Sequence, residues 1–137
     1  MPVAGRLTAT CYIPGRLFSV NGVTAANVDR LFARNERLVC HFDTSRGPTA
    51  MILVGAMVVA GIETVWAGQV APPPRHPVTV DYVNLPESVK LAQGAEMGRF
   101  MLGSTVILLF AEGVVAWDES FQSGSGMRMG QKLGSCL

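Results

Sequence analysis

Apolar and polar positions alternate from Arg6 to Tyr12, with Leu7, Ala9 and Cys11 on one face and Thr8, Thr10 and Tyr12 on the other. A period of two predicts a strand, ended by Pro14-Gly15. A short apolar piece, Leu17-Phe18-Ser19-Val20, closes on Asn21-Gly22. Thr24 is placed to cap a short helix over Ala25 to Leu31. Asn35-Glu36 reads as a turn, Arg37 to Phe42 as a strand and Asp43 to Pro48 as a hairpin loop. Met51 to Met57 and Val58 to Trp66 follow as strands. Across them runs the longest uncharged apolar stretch, the thirteen residues from Ala50 to Ile62. A bilayer-spanning helix needs about 20, and Gly55 and Gly61 fit two buried strand pieces better than one helix.

Pro72, Pro73, Pro74 and Pro77 make Gly68 to Pro77 a loop or polyproline stretch, because such a run cannot join a ladder. Val78 to Val83 alternates again and predicts a strand, and Leu85 to Gly94 a polar connection with room for one helical turn. Glu96 to Thr105 is a turn-rich, charged approach to a Gly-Ser-Thr corner. The corner opens into an apolar strand over Thr105 to Phe110. A hairpin around Glu112-Gly113 leads into Val114 to Trp117. Ser120 to Gly126 is a Ser/Gly-rich mobile tail, and Met127 to Leu133 a short last element. The pattern predicts one domain over residues 1–137: mostly β, a compact sandwich or barrel with one or two short helices.

Composition agrees. Fifteen glycines and eight prolines argue against a helical bundle, and 49% hydrophobic against 15% charged residues supply a sizeable core. A net charge of +1 gives no electrostatic footprint for nucleic acid. Cys11, Cys40 and Cys136 have no metal-ligand spacing, and their odd number argues for reduced thiols in a cytosol-facing compartment. Met1 to Arg6 carries no apolar core behind a basic start, so no leader peptide is expected there.

The corner is where the chemistry gathers. Gly103 has no side chain to shield its carbonyl carbon, and Ser104 supplies a hydroxyl one bond away. A tight turn of this kind reads either as a plain turn with a surface serine or as a place where a backbone attacks itself.

Six ordered blocks decide between these readings: Gly15 to Asn21, Leu31 to Arg37, Ile52 to Met57, Ile62 to Gly68, Glu96 to Thr105, and Met129-Gly130-Gln131. In order and spacing they resemble the phosphatidylserine decarboxylase proenzymes, a pyruvoyl-dependent family, over nearly the whole chain. The resemblance implies a fold similar to lipoyl-type barrel-sandwich domains. It implies that the Ser104 hydroxyl attacks the Gly103 carbonyl, breaking the peptide C–N bond and forming an ester. Loss of the Ser104 Cα proton then releases the Gly103 carboxylate and leaves dehydroalanine, which water converts to a pyruvoyl group and ammonia. Ser104 is thus the implied nucleophile and covalent pyruvoyl precursor, and Gly103 the scissile carbonyl. The implied substrate is phosphatidylserine, whose headgroup amine meets the pyruvoyl ketone, and the implied product is phosphatidylethanolamine. The implied setting is peripheral, on the cytoplasmic face of the cell membrane.

Ser104 needs a base. In the family the base is a histidine in a Tyr-His-Arg-Val-His type segment, with an aspartate further upstream, and the residues after that segment look like Met1 to Gly5. The expectation is therefore that a separate or longer polypeptide supplies this part. The alternative is a family member that does not cleave, a β-rich lipid- or partner-binding module. His41 reads as an ordinary strand histidine, His76 as a solvated loop residue and Asp43 as a turn acceptor. Glu96 and Arg99 read as a solvated pair or as residues steering the headgroup. Thr105 reads as orienting Ser104 or simply as a strand former. Trp66 and Trp117 read as core or sheet-edge aromatics, and Met97, Met101, Met127 and Met129 as gap-fillers or lipid-facing residues. An absent upstream segment is expected to leave apolar surface open around Leu7 to Ile13 and Leu17 to Val20.

Overall fold

The computed structural model describes residues 1–57, 61–70, 75–101 and 105–137. The alternation after Gly5 produces β1 (Gly5–Ile13), flanked on one side by β2 (Arg37–Thr44) and on the other by β6 (Val78–Asp81), with β7 (Lys90–Leu91) at its start. β3 (Gly47–Val54) pairs with β2, and β9 (Thr105–Phe110) pairs with β3, so the large antiparallel sheet runs β6-β1-β2-β3-β9. A three-stranded sheet, β5-β4-β8, is made of β4 (Ile62–Thr64), β5 (Gly68–Gln69) and β8 (Gly98–Phe100). A ribbon of β10 (Val115–Trp117) and β11 (Gly134–Cys136) stands apart. The chain is mostly β, as expected, and among the described residues no sheet closes into a barrel.

One face of the large sheet carries Leu7, Tyr12, Leu38, Cys40, Phe42, Met51 and Leu53, all buried. The small sheet brings Ile62, and its approach brings Met97, onto that face. Trp66 meets Phe42 edge-on, ring centres 6.2 Å apart, a favourable aromatic geometry. Two layers therefore enclose one core, the sandwich half of the expectation.

Several boundaries differ from the sequence reading. The helix begins earlier: α1 (Gly22–Asn27) has Asn21 as its cap, and Thr24 is the return partner of a reciprocal capping box. A second helix, α2 (Leu31–Arg34), follows a break at Arg30, which sits in left-handed backbone at φ 52°. The Leu17 to Val20 piece forms no strand. Arg16 instead bridges to Asn35, and Gly15 permits this, since a Cβ there would lie 2.5 Å from Arg34 backbone. Asn35 is no surface turn: it is fully buried. Strand pairing continues through Thr44↔Gly47, so the hairpin loop shrinks to Ser45-Arg46. β3 stops at Val54 rather than Met57, and the expected strand over Val58 to Trp66 is the shorter β4; residues 58–60 lie outside the described ones. So does most of the proline run, residues 71–74. The Leu85 to Gly94 connection holds β7 and no helix, while the approach to the corner holds β8, which its turn-like composition hid. The strand after Glu112-Gly113 does not fold back on β9 but pairs with β11, and the last element is Gly134–Cys136 rather than Met127 to Leu133.

The apolar surface expected around Leu7 to Ile13 is not open: β1 lies inside the sheet, with Leu7 fully buried and Tyr12 nearly so. Leu17 alone of the two named stretches stands out as an exposed large apolar residue.

Candidate active site

The corner joins two sheets. β8 ends at Phe100, paired with Ile62 of β4, and β9 begins at Thr105, paired with Val54 of β3. Both chain passages between these pairs, 55–61 and 101–104, run from one sheet to the other. Gly103 and Ser104, the residues singled out as scissile carbonyl and nucleophile, lie with Leu102 outside the described residues. Their flanks are held firmly. The Met101 amide donates to the Gly61 carbonyl at 3.2 Å, and Thr105, half-buried, opens the full β3–β9 ladder. Gly98 lets β8 approach β4: a Cβ there would lie 2.2 Å from the Glu63 carbonyl oxygen.

Three charges line the approach. The Arg99 guanidinium sits 3.4 Å from Glu63 and 3.4 Å from Glu96. It is shared between two carboxylates, so it braces β8 against β4 and leaves the cluster with one surplus negative charge. Glu63 was not foreseen. Its signal is a cross-strand opposite-charge pair in the register Glu63↔Arg99. Exposed pairs of this kind stabilise little. Of the methionines, Met97 is a core residue at 6% exposure and Met101 stands out at 61%.

The end of the large sheet beside the corner is one row across three strands, Arg37↔Val54↔Thr105. The segment of α1 and α2 joins the sheet at this end, leading into Arg37. Asn35 fastens it: its Oδ1 accepts from the Phe18 amide at 3.0 Å, and its Nδ2 donates to the carbonyls of Phe18 and Gly55, both at 2.9 Å. The Gly55 amide donates to the Glu36 carbonyl at 2.8 Å. The Tyr12 hydroxyl donates to Glu36 at 2.9 Å. Burial, and then the Glu36 bond and charge, push the Tyr12 phenol well above the usual range. Nothing in the sequence marks Asn35 beyond its place in a block, because a buried Asn and a turn Asn look alike in one dimension.

Neither histidine is at the corner. His41 is exposed on β2 in the row His41↔Ala50↔Leu109, four residues from the Thr105 row, about 14 Å along the strands. His76 precedes β6, which is four strands from β9 in the sheet order, about 19 Å. Asp43 pairs with Arg6 at 3.1 Å. Among the described residues there is no cluster of metal-ligating side chains, and no helix is long and apolar enough to cross a membrane. The Met1 ammonium donates to the Ala95 carbonyl at 2.6 Å, just ahead of Glu96, and burial lowers its pKa.

Comparison with known proteins follows the same lines. The family model described as phosphatidylserine decarboxylase matches residues 1–135. The chain is 58% identical over 135 residues to a phosphatidylserine decarboxylase proenzyme of Pseudomonas fluorescens, covering 98% of this chain and 47% of that protein. It is 59% identical over 134 residues to one from Pseudomonas putida, with 97% and 47% covered. It is 57% identical over 136 residues to one from Ectopseudomonas mendocina, with 98% and 48% covered. The chain thus spans about half the length of the curated relatives it matches. With a family match over nearly its full length, this chain belongs to the phosphatidylserine decarboxylase family.

Proposed function

We propose that these residues form the core domain of a phosphatidylserine decarboxylase that makes phosphatidylethanolamine, with a pyruvoyl group formed from Ser104 by cleavage after Gly103. The observation that carries the reading is that the Gly103-Ser104 bond falls in the short passage between Met101, tied to Gly61, and Thr105, at the head of the β3–β9 ladder. The flanks on either side of that bond are anchored strand ends. Ser104 itself is the right precursor for the group, since its Oγ becomes the ester oxygen and its Cα the ketone carbon. When present, a pyruvoyl group is an electron sink for decarboxylation of an amino acid headgroup.

The chain's own residues do the positioning. Thr105 holds the backbone that follows Ser104 through the β3–β9 ladder, while the β4–β8 pairing and the Met101–Gly61 bond hold the backbone up to Met101. No described histidine reaches the Thr105 row, so the base comes from polypeptide outside these residues, in a longer or a separate chain. Met1 lies against Ala95 on the approach to the corner, so residues joined ahead of Met1 would enter beside it. The same lack of a base within reach favours the second reading, a module that binds lipid or a partner without cleaving.

The test is release of carbon dioxide from phosphatidylserine vesicles by this chain supplied with the upstream half of a Pseudomonas relative. The reading expects turnover that Ser104→Ala abolishes. Absence of turnover with both halves folded together overturns it in favour of the second.

A further inference from the structure

Asp43, Glu63 and Glu96 each pair with an arginine. Glu36 is different: it is half-buried and, among the described residues, takes part in no ion pair. Arg37, next in sequence, donates instead to the carbonyls of Ala33 and Asn35, at 2.8 and 3.0 Å. One oxygen of Glu36 is taken, since the buried Tyr12 hydroxyl donates to Oε2 at 2.9 Å. The other, Oε1, lies over Gly55, 3.4 Å from where a Cβ would stand on that glycine, and Leu17 Cδ2 lies 3.6 Å from the same point. Of the elements around the carboxylate, β1 thus presents a phenol and the end of β3 only a glycine. The phenol keeps its proton, so its bond orients the carboxylate without neutralising it. A buried tyrosine is served equally well by a neutral acceptor. A half-buried carboxylate without a cation costs desolvation, so the charge here points to a cationic partner from outside the described residues.

The register says what lies beside it. One step beyond the row Arg37↔Val54↔Thr105, the Gly55 amide donates to the Glu36 carbonyl at 2.8 Å, so pairing runs on to Glu36 and Gly55. On the third strand, the residue before Thr105 in sequence is Ser104. The carboxylate over Gly55 is therefore one strand spacing, about 5 Å, from the strand that Thr105 opens.

We infer that Glu36 is a positioning residue for cleavage after Gly103: its Tyr12-held carboxylate faces the base that takes the Ser104 proton and stabilises the positive charge that base then carries. The inference rests on the decarboxylase reading, in which the base comes from upstream polypeptide. In the step, the Ser104 hydroxyl proton moves to the neutral base and Oγ bonds to the Gly103 carbonyl carbon. The C–N bond then breaks, and the base returns the proton to the freed Ser104 nitrogen. The base is positive only between these two transfers, so a fixed carboxylate beside it favours that interval over the resting state.

Time courses of cleavage test this, read by intact mass after cell-free synthesis of this chain joined to the upstream half of a Pseudomonas relative. Glu36→Gln keeps an acceptor for Tyr12 and removes the charge. It should slow cleavage at neutral pH by about tenfold or more. A negative neighbour raises the pKa of a cationic base, so the same variant should move the rise of rate with pH to lower pH. Glu36→Asp, which keeps the charge, should restore part of the rate and return that midpoint towards the parent's. Asp43→Asn, which removes a charge at the hairpin end of the sheet, should change neither. A parental rate in Glu36→Gln overturns the inference. So does a slower rate with the pH profile unmoved, which leaves Glu36 only as an acceptor for Tyr12. Where Glu36→Gln fails to fold, Tyr12→Phe decides: it frees the carboxylate and keeps its charge, and should slow cleavage by about threefold or more. A parental rate there overturns the inference. A folded parent that stays uncut overturns the decarboxylase reading itself, whereas a parent that cuts with Glu36 indifferent overturns the inference alone.

Discussion

The two ends of the large sheet are built from the same strands and do different work. At one end β2 returns directly into β3 through Ser45-Arg46. The polar groups there are satisfied locally: the Thr44 hydroxyl donates to the Gly47 carbonyl at 2.7 Å and accepts from the Arg46 amide at 3.1 Å. Arg46 also reaches the carbonyl of Leu137, tying down the last residue. At the other end β3 leaves the sheet and β9 enters it, and the backbone groups beside them are met from elsewhere. Asn35 and Glu36 meet those of Gly55, just past β3, and Gly61 meets the Met101 amide, just past β8, all from sequence-distant positions. A hairpin closes a sheet; a crossing carries the chain on to another sheet. The Gly103-Ser104 bond lies in sequence between the end of β8 and the start of β9.

Removing what both ends share should break the contrast. Phe42 is 1% exposed and packs with Trp66 at the centre of the core. Phe42→Ala is expected to cost about 3–5 kcal/mol, lowering stability of both ends together in a denaturant titration. Asn35→Ala should act on the crossing end. It leaves the Phe18 amide and the Gly55 carbonyl without the partners seen here, at about 2 kcal/mol. Amide exchange should quicken at Phe18 and Gly55 while the β2–β3 hairpin stays protected.

Alkaline pH should give a smaller, graded loss. Burial raises the Cys40 thiol from 9.0 to about 12, and Tyr12 is raised from 10.0. Both groups hold their protons in the folded chain after the unfolded chain has released its own, so the stability present below pH 9 falls as pH rises from about 9 towards 12. Melting curves at pH 8 and pH 10.5 check this, and Cys40→Ala with Tyr12→Phe should flatten the difference. Thr44→Ala should have the smallest effect, about 1 kcal/mol or less, since both its bonds are at a surface that water can serve.

The same contrast marks what the sequence made legible. β2 is readable because alternation and burial agree along Leu38, Cys40 and Phe42, whereas in β1 an irregularity between Leu7 and Ala9 puts buried Leu7 on the face of Thr10 and Tyr12 rather than with Ala9 and Cys11. The corner stands out because Gly-Ser and its flanking blocks form a local word. The crossing end is less legible. β8 is three residues long and its composition is that of a turn, so only its pairing with β4 makes it a strand. Asn35 looks like a turn residue in one dimension because its burial depends on Phe18 and Gly55, seventeen and twenty residues away. Thr24 attracted the cap assignment, yet Asn21 three residues earlier holds it, since a capping box presents two good candidates at once. β10 pairs with β11 rather than with the outer edge of β9, a choice between partners that local pattern does not mark.

Intact-mass measurement tests the central claim most directly, on this chain alone and on this chain joined to the upstream half of a Pseudomonas relative. The account predicts that the chain alone stays whole at 14.6 kDa. It predicts that the joined protein splits between Gly103 and Ser104, the C-terminal piece beginning with a ketone-reactive group, and that Ser104→Ala keeps it whole. A joined, folded protein that remains uncut, or one cut at another bond, would contradict it.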